Sequence, residues 1–136
     1  MKASYLVSYG QPDSPQYGEM PGPVIQKNSL LVQVKAVSVN PVDWKIRQGV
    51  LKLIQGSRFP RIIGTDFAGI VKEVAPGLVD FKDGDRVYGA ISAFSGKPGA
   101  LAEVANVHQK EVRVMPEWLS FKEAASLPIA ALTALN

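Results

Sequence analysis

The sequence contains no cysteine and only one histidine, His108, among its 136 residues. Without cysteine the chain can form no disulfide bond, no thiolate nucleophile and no cysteine-ligated zinc site. With one histidine the chain offers only one imidazole as a metal ligand, so we predict that the protein holds no metal. Because His108 has no companion ligand, we interpret it as a loop or strand-end residue.

Long apolar runs and runs of basic residues are also missing. No apolar stretch reaches about 18 residues, and no cationic segment leads into an apolar one at the N-terminus, so neither a membrane span nor a signal peptide is predicted. We expect a soluble, cytoplasmic protein. The net charge is +3, but lysine and arginine are scattered singly. A phosphate backbone is usually followed by basic runs, so nucleic acid is not an expected partner.

Apolar residues make up 46% of the sequence and charged residues 20%, a balance typical of one globular domain. The clearest strand pattern begins at Leu31, where Val32 and Val34 alternate with the polar Gln33 and Lys35. Further strands are predicted over residues 2–8, 67–77, 84–91, 100–107 and 110–115. Short strands at roughly ten-residue spacing predict a mainly β fold, either a small sandwich or a barrel.

The last stretch, "SFKEAASLPIAALTALN", has helical signals instead. Ser120 and Glu123 form a Ser-x-x-Glu capping box, which predicts a helix start, and Pro128 should kink or restart that helix. Residues 129–135 are almost entirely apolar, and a helix that is apolar all round needs neighbours on every side. Two interpretations stay open. The helix packs on the barrel and frays, or, as we favour, the chain is cut at a domain junction.

The stretch "NPVDWKIRQG" follows the strand that begins at Leu31. Pro41 suits the first position of a helix, and Asn40 with Asp43 resembles a capping arrangement, so the chain is expected to turn from strand into a short helix there. We interpret Asp43 as a structural carboxylate that orients this segment rather than as a general base. Alternatively, free backbone donors and the amide of Asn40 at such a junction could orient a ligand. The local pattern does not decide between the two.

Three ordered motifs carry a resemblance that covers essentially the whole chain. They are "AVSVNPVDWKIRQG", "FPRIIGTDFAGIVKEVAPGLVDFKDGDRVYG" and "ALAEVANVHQKEVRVMPEWLSFKEAASLPIAALTAL". This sequence resembles the N-terminal GroES-like domain of the medium-chain dehydrogenase/reductase superfamily, in its quinone oxidoreductase branch. The resemblance implies a partly open β-barrel with short helices over residues 1–125. It also implies that residues 126–136 begin a helical junction to a Rossmann domain that binds NAD(P). No G-x-G-x-x-G motif is present, so that domain is absent from this chain.

The resemblance also shows where this sequence departs from the zinc alcohol dehydrogenases. In that branch a zinc-binding cysteine matches Asn40, and a His-Glu pair after the glycine matched by Gly64 corresponds to Thr65 and Asp66. Asparagine and threonine are poor zinc ligands, and one carboxylate cannot complete a three-ligand site. We therefore expect a zinc-independent enzyme that transfers hydride to a quinone or an α,β-unsaturated carbonyl.

The resemblance assigns cofactor contacts to three residues of this chain. Asn40 and Pro41 are expected beside the nicotinamide, and Thr133 is expected to approach the cofactor from the domain junction. Asn40 also lies at the carbonyl end of the implied pocket and is a candidate catalytic residue. NADPH rather than NADH is a family expectation, since the residues that select it belong to the absent domain.

Three further residues are candidates for the substrate side of the cleft. Lys45 could stabilise negative charge on the substrate oxygen, because a flexible ammonium on this segment has suitable reach; the alternative is a solvated lysine near a helix end. Trp44 and Tyr88 could form an apolar wall for a flat substrate, and core packing is at least as consistent with both.

Two functions of different classes stay open. The first is the substrate-binding half of an NADPH-dependent oxidoreductase, inactive by itself and compatible with a homodimer of the intact protein. The second is a stand-alone GroES-like module that uses the apolar residues Ile129 to Leu135 to bind a partner protein or a second copy of itself. We favour the enzyme for the intact gene product.

Overall fold

The computed structural model describes residues 1–135 and contains eight strands and four α-helices in that range. The strands are β1 (Lys2–Leu6), β2 (Gln16–Glu19), β3 (Ser29–Ser38), β4 (Arg61–Ile62), β5 (Asp66–Val74), β6 (Arg86–Ala90), β7 (Val104–His108) and β8 (Val112–Val114). The helices are α1 (Pro41–Gln48), α2 (Lys52–Gln55), α3 (Phe121–Ala125) and α4 (Pro128–Leu135). The predicted mainly β class is confirmed.

The strands form two antiparallel sheets that do not close into one barrel. The smaller sheet has the order β2-β1-β4, and the larger has the order β7-β3-β5-β6-β8. An isolated bridge between Ala3 and Ala102 connects β1 to the segment before β7. The long pair β3 and β5 shifts register between Leu31 and Val32 and again between Val34 and Ala36, and such bulges bend a strand. The sheet therefore curves around its core as a partly open barrel does.

The main core lies against the five-stranded sheet. Phe67, Val71 and Val87 are fully buried there, together with Val32 of the predicted alternating strand. Lys35 of that strand is exposed, as the period-two pattern requires. A second buried cluster lies between this sheet and α3, with Ala68 on the sheet side.

Three strands, β6, β7 and β8, start later than predicted. Residues 100–103 precede β7, because the amides of Gly99, Ala100 and Leu101 donate to the carbonyls of residues 62–64 instead of a regular ladder. Gly99 permits this close approach, since a Cβ there would lie 2.4 Å from the Ile63 carbonyl oxygen. A 3₁₀ turn at Gln109–Glu111 precedes β8, so that strand starts only at Val112. The backbone N–H of Lys110 in this turn donates to the Nδ1 of His108 at 3.2 Å. His108 is thus the strand-end residue expected.

The helical end of the chain agrees with the capping signals. The Oγ of Ser120 accepts from the backbone N–H of Glu123 at 3.2 Å, and the Glu123 carboxylate accepts from the Ser120 N–H at 2.9 Å. The helix restarts at Pro128 as α4, which contacts β6. Leu135 is 84% exposed, so the far part of α4 lacks the cover that its apolar sequence calls for. The predicted domain boundary at residue 125 stays a prediction, and Asn136 lies outside the described residues.

None of the helices within residues 1–135 is long and apolar enough to cross a bilayer.

Candidate functional site

The candidate site forms where the end of β3 meets the beginning of β5. The antiparallel pairing places Ser38 opposite Asp66. Gly64 turns the chain into β5 with a φ of 95°, a left-handed conformation that favours glycine. Asn40 lies two residues after the end of β3 and directly precedes α1, so the "NP" and "GTD" stretches become neighbours although 25 residues separate Asn40 from Thr65.

Asn40 is buried and fixed by both its backbone and its side chain. Its amide nitrogen Nδ2 donates to Asp66 Oδ2 at 3.0 Å and lies 3.4 Å from Thr65 Oγ1. Its backbone N–H donates to Asp43 Oδ2 at 2.7 Å. Pro41 occupies the first turn of α1 as predicted, and Gly49 ends that helix with a φ of 81°. The Asn40 side chain is therefore held at the strand-to-helix junction in one orientation.

Asp43 is a buried carboxylate, 4% exposed, that links the two stretches. Besides the Asn40 backbone N–H, it accepts from Thr65 Oγ1 at 3.3 Å. These contacts are those expected of a carboxylate that orients the segment.

Asp66 has no exposed surface and collects donors from three elements. In addition to Asn40, the Oγ of Ser38 donates to its Oδ2 at 3.2 Å, and the backbone N–H of Ile129 in α4 donates to the same atom at 3.2 Å. From the sequence alone, Asp66 was considered only as a residue unsuited to zinc, and Ser38 was not singled out. An aspartate directly before the apolar run of residues 67–71 was the available signal, because a buried carboxylate needs donors nearby.

Burial dominates the electrostatics of this pair of carboxylates. Loss of water raises the pKa of Asp43 and of Asp66 above the ordinary value of 3.8, and hydrogen bonds from Asn40 partly oppose that increase. Within residues 1–135 neither carboxylate forms an ion pair with a lysine, arginine or histidine. Asp43 Oδ1 and Asp66 Oδ1 are buried without a hydrogen-bond partner. The site therefore carries two poorly compensated acids.

Lys45 and Trp44 lie on the outer side of α1, whereas Asp43 and Ile46 face inward. Trp44 is 44% exposed, and the Lys45 Nζ lies 5.7 Å from the centre of its ring. Such a distance is within the range of a cation–π contact. The two side chains thus form an exposed aromatic and cationic surface next to the buried cluster.

The other predicted site residues lie apart from this network. Tyr88 is half-buried on β6, opposite Ala68, and packs against the second core cluster beneath α3. Thr133 is exposed on α4, and Pro41 is exposed at the start of α1. The structure therefore joins Asn40 to Asp43, Thr65 and Asp66 but gives Tyr88 a packing contact in the core.

Residues 1–135 contain no group of three or more histidine, cysteine, aspartate or glutamate side chains that could hold a metal ion. The positions discussed as zinc ligands, Asn40, Thr65 and Asp66, are in contact with one another, but they supply one carboxylate among neutral groups. That donor set is poor for zinc.

Cavities in the described part of the chain do not enclose the Asn40 cluster. One cavity, of about 480 Å³, is lined by residues 1, 20–26, 58, 60–62, 96–99 and 104–106 and includes no predicted site residue. A pocket of about 20 Å³ borders Thr65 and Ile46 and has room for about one water molecule.

Comparison with known families gives one matching domain model, the alcohol dehydrogenase GroES-like domain, over residues 26–117. The chain is 40% identical over 121 residues to the chloroplast envelope quinone oxidoreductase homolog of Arabidopsis thaliana, covering 89% of this chain and 36% of that protein. It is also 40% identical over 116 residues to the NADPH-dependent alkenal/one oxidoreductase of the same plant, covering 82% of this chain and 30% of that protein. The chain thus spans about a third of the length of these relatives.

Solved structures give the same result. The quinone oxidoreductase from Coxiella burnetii superposes with a TM-score of 0.91 at 36% identity, covering 99% of this chain and 43% of that one. The predicted GroES-like architecture is confirmed by this similarity.

Proposed function

The chain belongs to the alcohol dehydrogenase GroES-like domain family, within the quinone oxidoreductase branch of the medium-chain dehydrogenase/reductase superfamily, and we propose that it is the substrate-binding part of a zinc-independent, NADPH-dependent reductase. The proposed substrates are quinones and α,β-unsaturated carbonyls. The observation that carries this proposal is the fixed Asn40 amide at the junction of β3 and α1, in a chain that matches only about a third of two such reductases.

The proposed cofactor contact is confined to one end of the NADPH molecule. Pro41 and Thr133 are exposed, and Asn40 is rigidly held, so these residues fit the nicotinamide amide and ring. Residues 1–135 contain no glycine-rich phosphate turn, so the rest of the cofactor would be held by protein outside this chain. When bound, NADPH supplies hydride to the quinone or to the β-carbon of the enone.

Reduction of the substrate places negative charge on its carbonyl oxygen, and that oxygen needs a donor. Both hydrogens of the Asn40 amide point at oxygens already present, those of Asp66 and Thr65. Asn40 therefore fits the role of positioning the reactants rather than that of receiving the charge. Lys45 is exposed on the same short helix, and we assign to its ammonium the stabilisation of the substrate oxygen.

Trp44 is the stronger of the two candidates for an apolar wall. Nearly half of its surface is exposed beside Lys45, so a flat substrate can lie against the indole. Tyr88 stays a prediction for that role, because its ring already packs against buried residues beneath α3.

Zinc independence is part of the proposal. It rests on the neutral side chains of Asn40 and Thr65, which occupy two of the three positions that match zinc ligands in the zinc alcohol dehydrogenases. A quinone or enone is already electrophilic at the position that accepts hydride, so a donor such as Lys45 can replace a metal in stabilising the product charge. Asn40 and Thr65 instead form hydrogen bonds within the buried network around Asp43 and Asp66.

The second candidate function is a module that binds another protein through α4. It is favoured by the exposed apolar end of that helix, where Leu135 is 84% exposed. A partner or a second copy of the chain could cover this surface.

The test begins with the mass of the native gene product and with its oxidation of NADPH in the presence of a simple quinone. A mass well above the 14.7 kDa of this chain, with quinone-dependent oxidation, supports the reductase. A native product of this mass that does not oxidise NADPH contradicts it and favours the binding module.

The residue assignment is tested by Lys45→Ala in the active protein, with Lys72→Ala on the far part of β5 as the control. Both lysines are exposed, so neither change should unfold the protein. Loss of the oxyanion contact is expected to lower kcat about 10- to 100-fold in Lys45→Ala only. This loss is at or below the one typical for removal of a single oxyanion-hole donor. Equal rates in the two variants refute the assignment.

A further inference from the structure

One oxygen atom, Asp66 Oδ2, accepts hydrogen bonds from three different parts of the fold. The donors are the Asn40 side-chain amide at 3.0 Å, the Ser38 hydroxyl at 3.2 Å and the Ile129 backbone N–H at 3.2 Å. Ser38 ends β3, Asn40 begins the turn into α1, and Ile129 lies in the first turn of α4. A single carboxylate oxygen thus connects the proposed nicotinamide contact to the last described helix.

The three bonds depend on one another. A carboxylate oxygen offers about two lone-pair sites, so three donors must share them. The other oxygen, Asp66 Oδ1, is buried and has no partner, and Asp66 itself has no exposed surface. Water does not fill a vacated position readily in such a site, so a displaced donor changes the bonds that the remaining donors make.

The position of α4 connects this hydrogen-bond network to the proposed cofactor contacts. α4 carries Thr133, and its far end is exposed where a partner domain or protein could hold it. Its first turn is tied to Asp66 through Ile129. A displacement of α4 at its first turn therefore changes the donors around Asp66 directly.

We propose that Asp66 is a positioning residue that couples α4 to the Asn40 amide, so that the placement of α4 sets the orientation of the side chain that contacts the nicotinamide. The effect on catalysis rests on the proposed reductase function, whereas the coupling itself is a property of this chain. In the reductase, binding of the cofactor against α4 would then align Asn40 at the same moment.

Removal of one donor tests the coupling without altering Asp66 or Asn40. Proline has no backbone N–H and is tolerated in the first turn of a helix, so Ile129→Pro deletes the α4 donor, together with part of the Ile129 side chain. Ile129→Val is the matched control, because it retains the N–H and most of the side chain. The measurement is the ¹H–¹⁵N spectrum of the 136-residue chain, in which the Asn40 side-chain amide gives its own pair of signals.

We expect the Asn40 side-chain signals to shift in Ile129→Pro and to stay in place in Ile129→Val. Unshifted Asn40 signals in a folded Ile129→Pro chain overturn the coupling. Because that variant could unfold, Asp66→Asn is the second test, with Glu73→Gln, the same acid-to-amide change at an exposed residue of β5, as its control. Hydrogen exchange at the Ile129 amide and at the Asn40 side chain should both accelerate about tenfold in Asp66→Asn, the loss expected for a hydrogen bond to a charged group. Acceleration at only one of the two sites also overturns the proposal.

The kinetic test uses the active reductase and a double-mutant cycle. Ile129→Pro should lower kcat about tenfold in the wild-type background and have no further effect in the Asn40→Ala background, since Asp66 acts through Asn40. Equal losses in both backgrounds would show that the effect is purely structural and overturn the positioning role. If the wild-type protein shows no quinone-dependent oxidation, the proposed function is refuted, and the spectra of the chain still decide the coupling.

Discussion

Replacement of Asn40 by aspartate exchanges a hydrogen-bond donor for an acid of nearly the same shape. The new oxygen would occupy the position of Nδ2, 3.0 Å from Asp66 Oδ2, in a buried site where no cation within residues 1–135 forms an ion pair with Asp43 or Asp66. The backbone N–H of residue 40 still donates to Asp43, so α1 should begin normally. The perturbation is therefore confined to the contact with Asp66. Asn40→Ala is the matched variant that removes the donor without adding charge.

The expected magnitude follows from two competing costs. Two charges 3 Å apart repel by about 5 kcal/mol at an effective dielectric constant of 20. Protonation of one of them at pH 7, three units above an ordinary pKa near 4, costs about 4 kcal/mol. Protonation costs less free energy than the charge repulsion, so Asn40→Asp should take up a proton and lower the free energy of unfolding by about 4 kcal/mol at pH 7. Asn40→Ala loses one charge-assisted hydrogen bond and should lower it by about 2 kcal/mol.

The order of stability of Asn40→Asp and Asn40→Ala should reverse as the pH falls. At pH 4.5 the acid at position 40 is largely protonated in the folded protein and can donate to Asp66 as the amide does, so most of its penalty disappears. Asn40→Asp should then be more stable than Asn40→Ala, the reverse of the order at pH 7. Urea denaturation of the three proteins at both pH values measures this. Parallel stability curves, or an aspartate variant as stable as the alanine variant at pH 7, would refute the described contact.

Two further predictions concern the whole domain. The free energy of unfolding of the wild-type chain should rise as the pH falls from neutral towards the ordinary carboxyl pKa of 3.8. Burial raises the pKa of Asp43 and Asp66 above 3.8, so the folded state binds more protons than the unfolded state; the resulting stabilisation is complete below the unfolded pKa and is lost as the pH rises through the folded pKa. Denaturation at several pH values checks the slope, and an unchanged slope in Asp43→Asn contradicts this cause. Gly69→Ala should lower the free energy of unfolding by about 3 kcal/mol, because its Cβ would lie 2.2 Å from the Gln33 carbonyl oxygen. Gly22→Ala, with no atom within 4 Å of the new Cβ, should change it by less than about 0.5 kcal/mol; equal effects in thermal denaturation of the two variants contradict the packing of β3 on β5.

Local patterns in the sequence predicted the elements around the candidate site correctly. Pro41 at the first helical position, the alternation from Leu31 and the Ser120 capping box each depend on contacts within a few residues. Such contacts form in the same way wherever the segment lies in the fold. The strand limits near residues 100 and 110 were less accurate, because amides there bond to distant carbonyls or to a 3₁₀ turn.

The sequence by itself thus determined the mainly β class, the strand-to-helix turn at Asn40 and the helix restart at Pro128. Only the tertiary structure decided what Asn40 contacts, because the antiparallel pairing of β3 with β5 brings Asp66 to it and the packing of α4 adds the Ile129 N–H. The burial of two carboxylates is also a property of the assembled fold. Desolvation and long-range hydrogen bonds depend on which segments meet in space, and spacing along one chain does not specify that meeting.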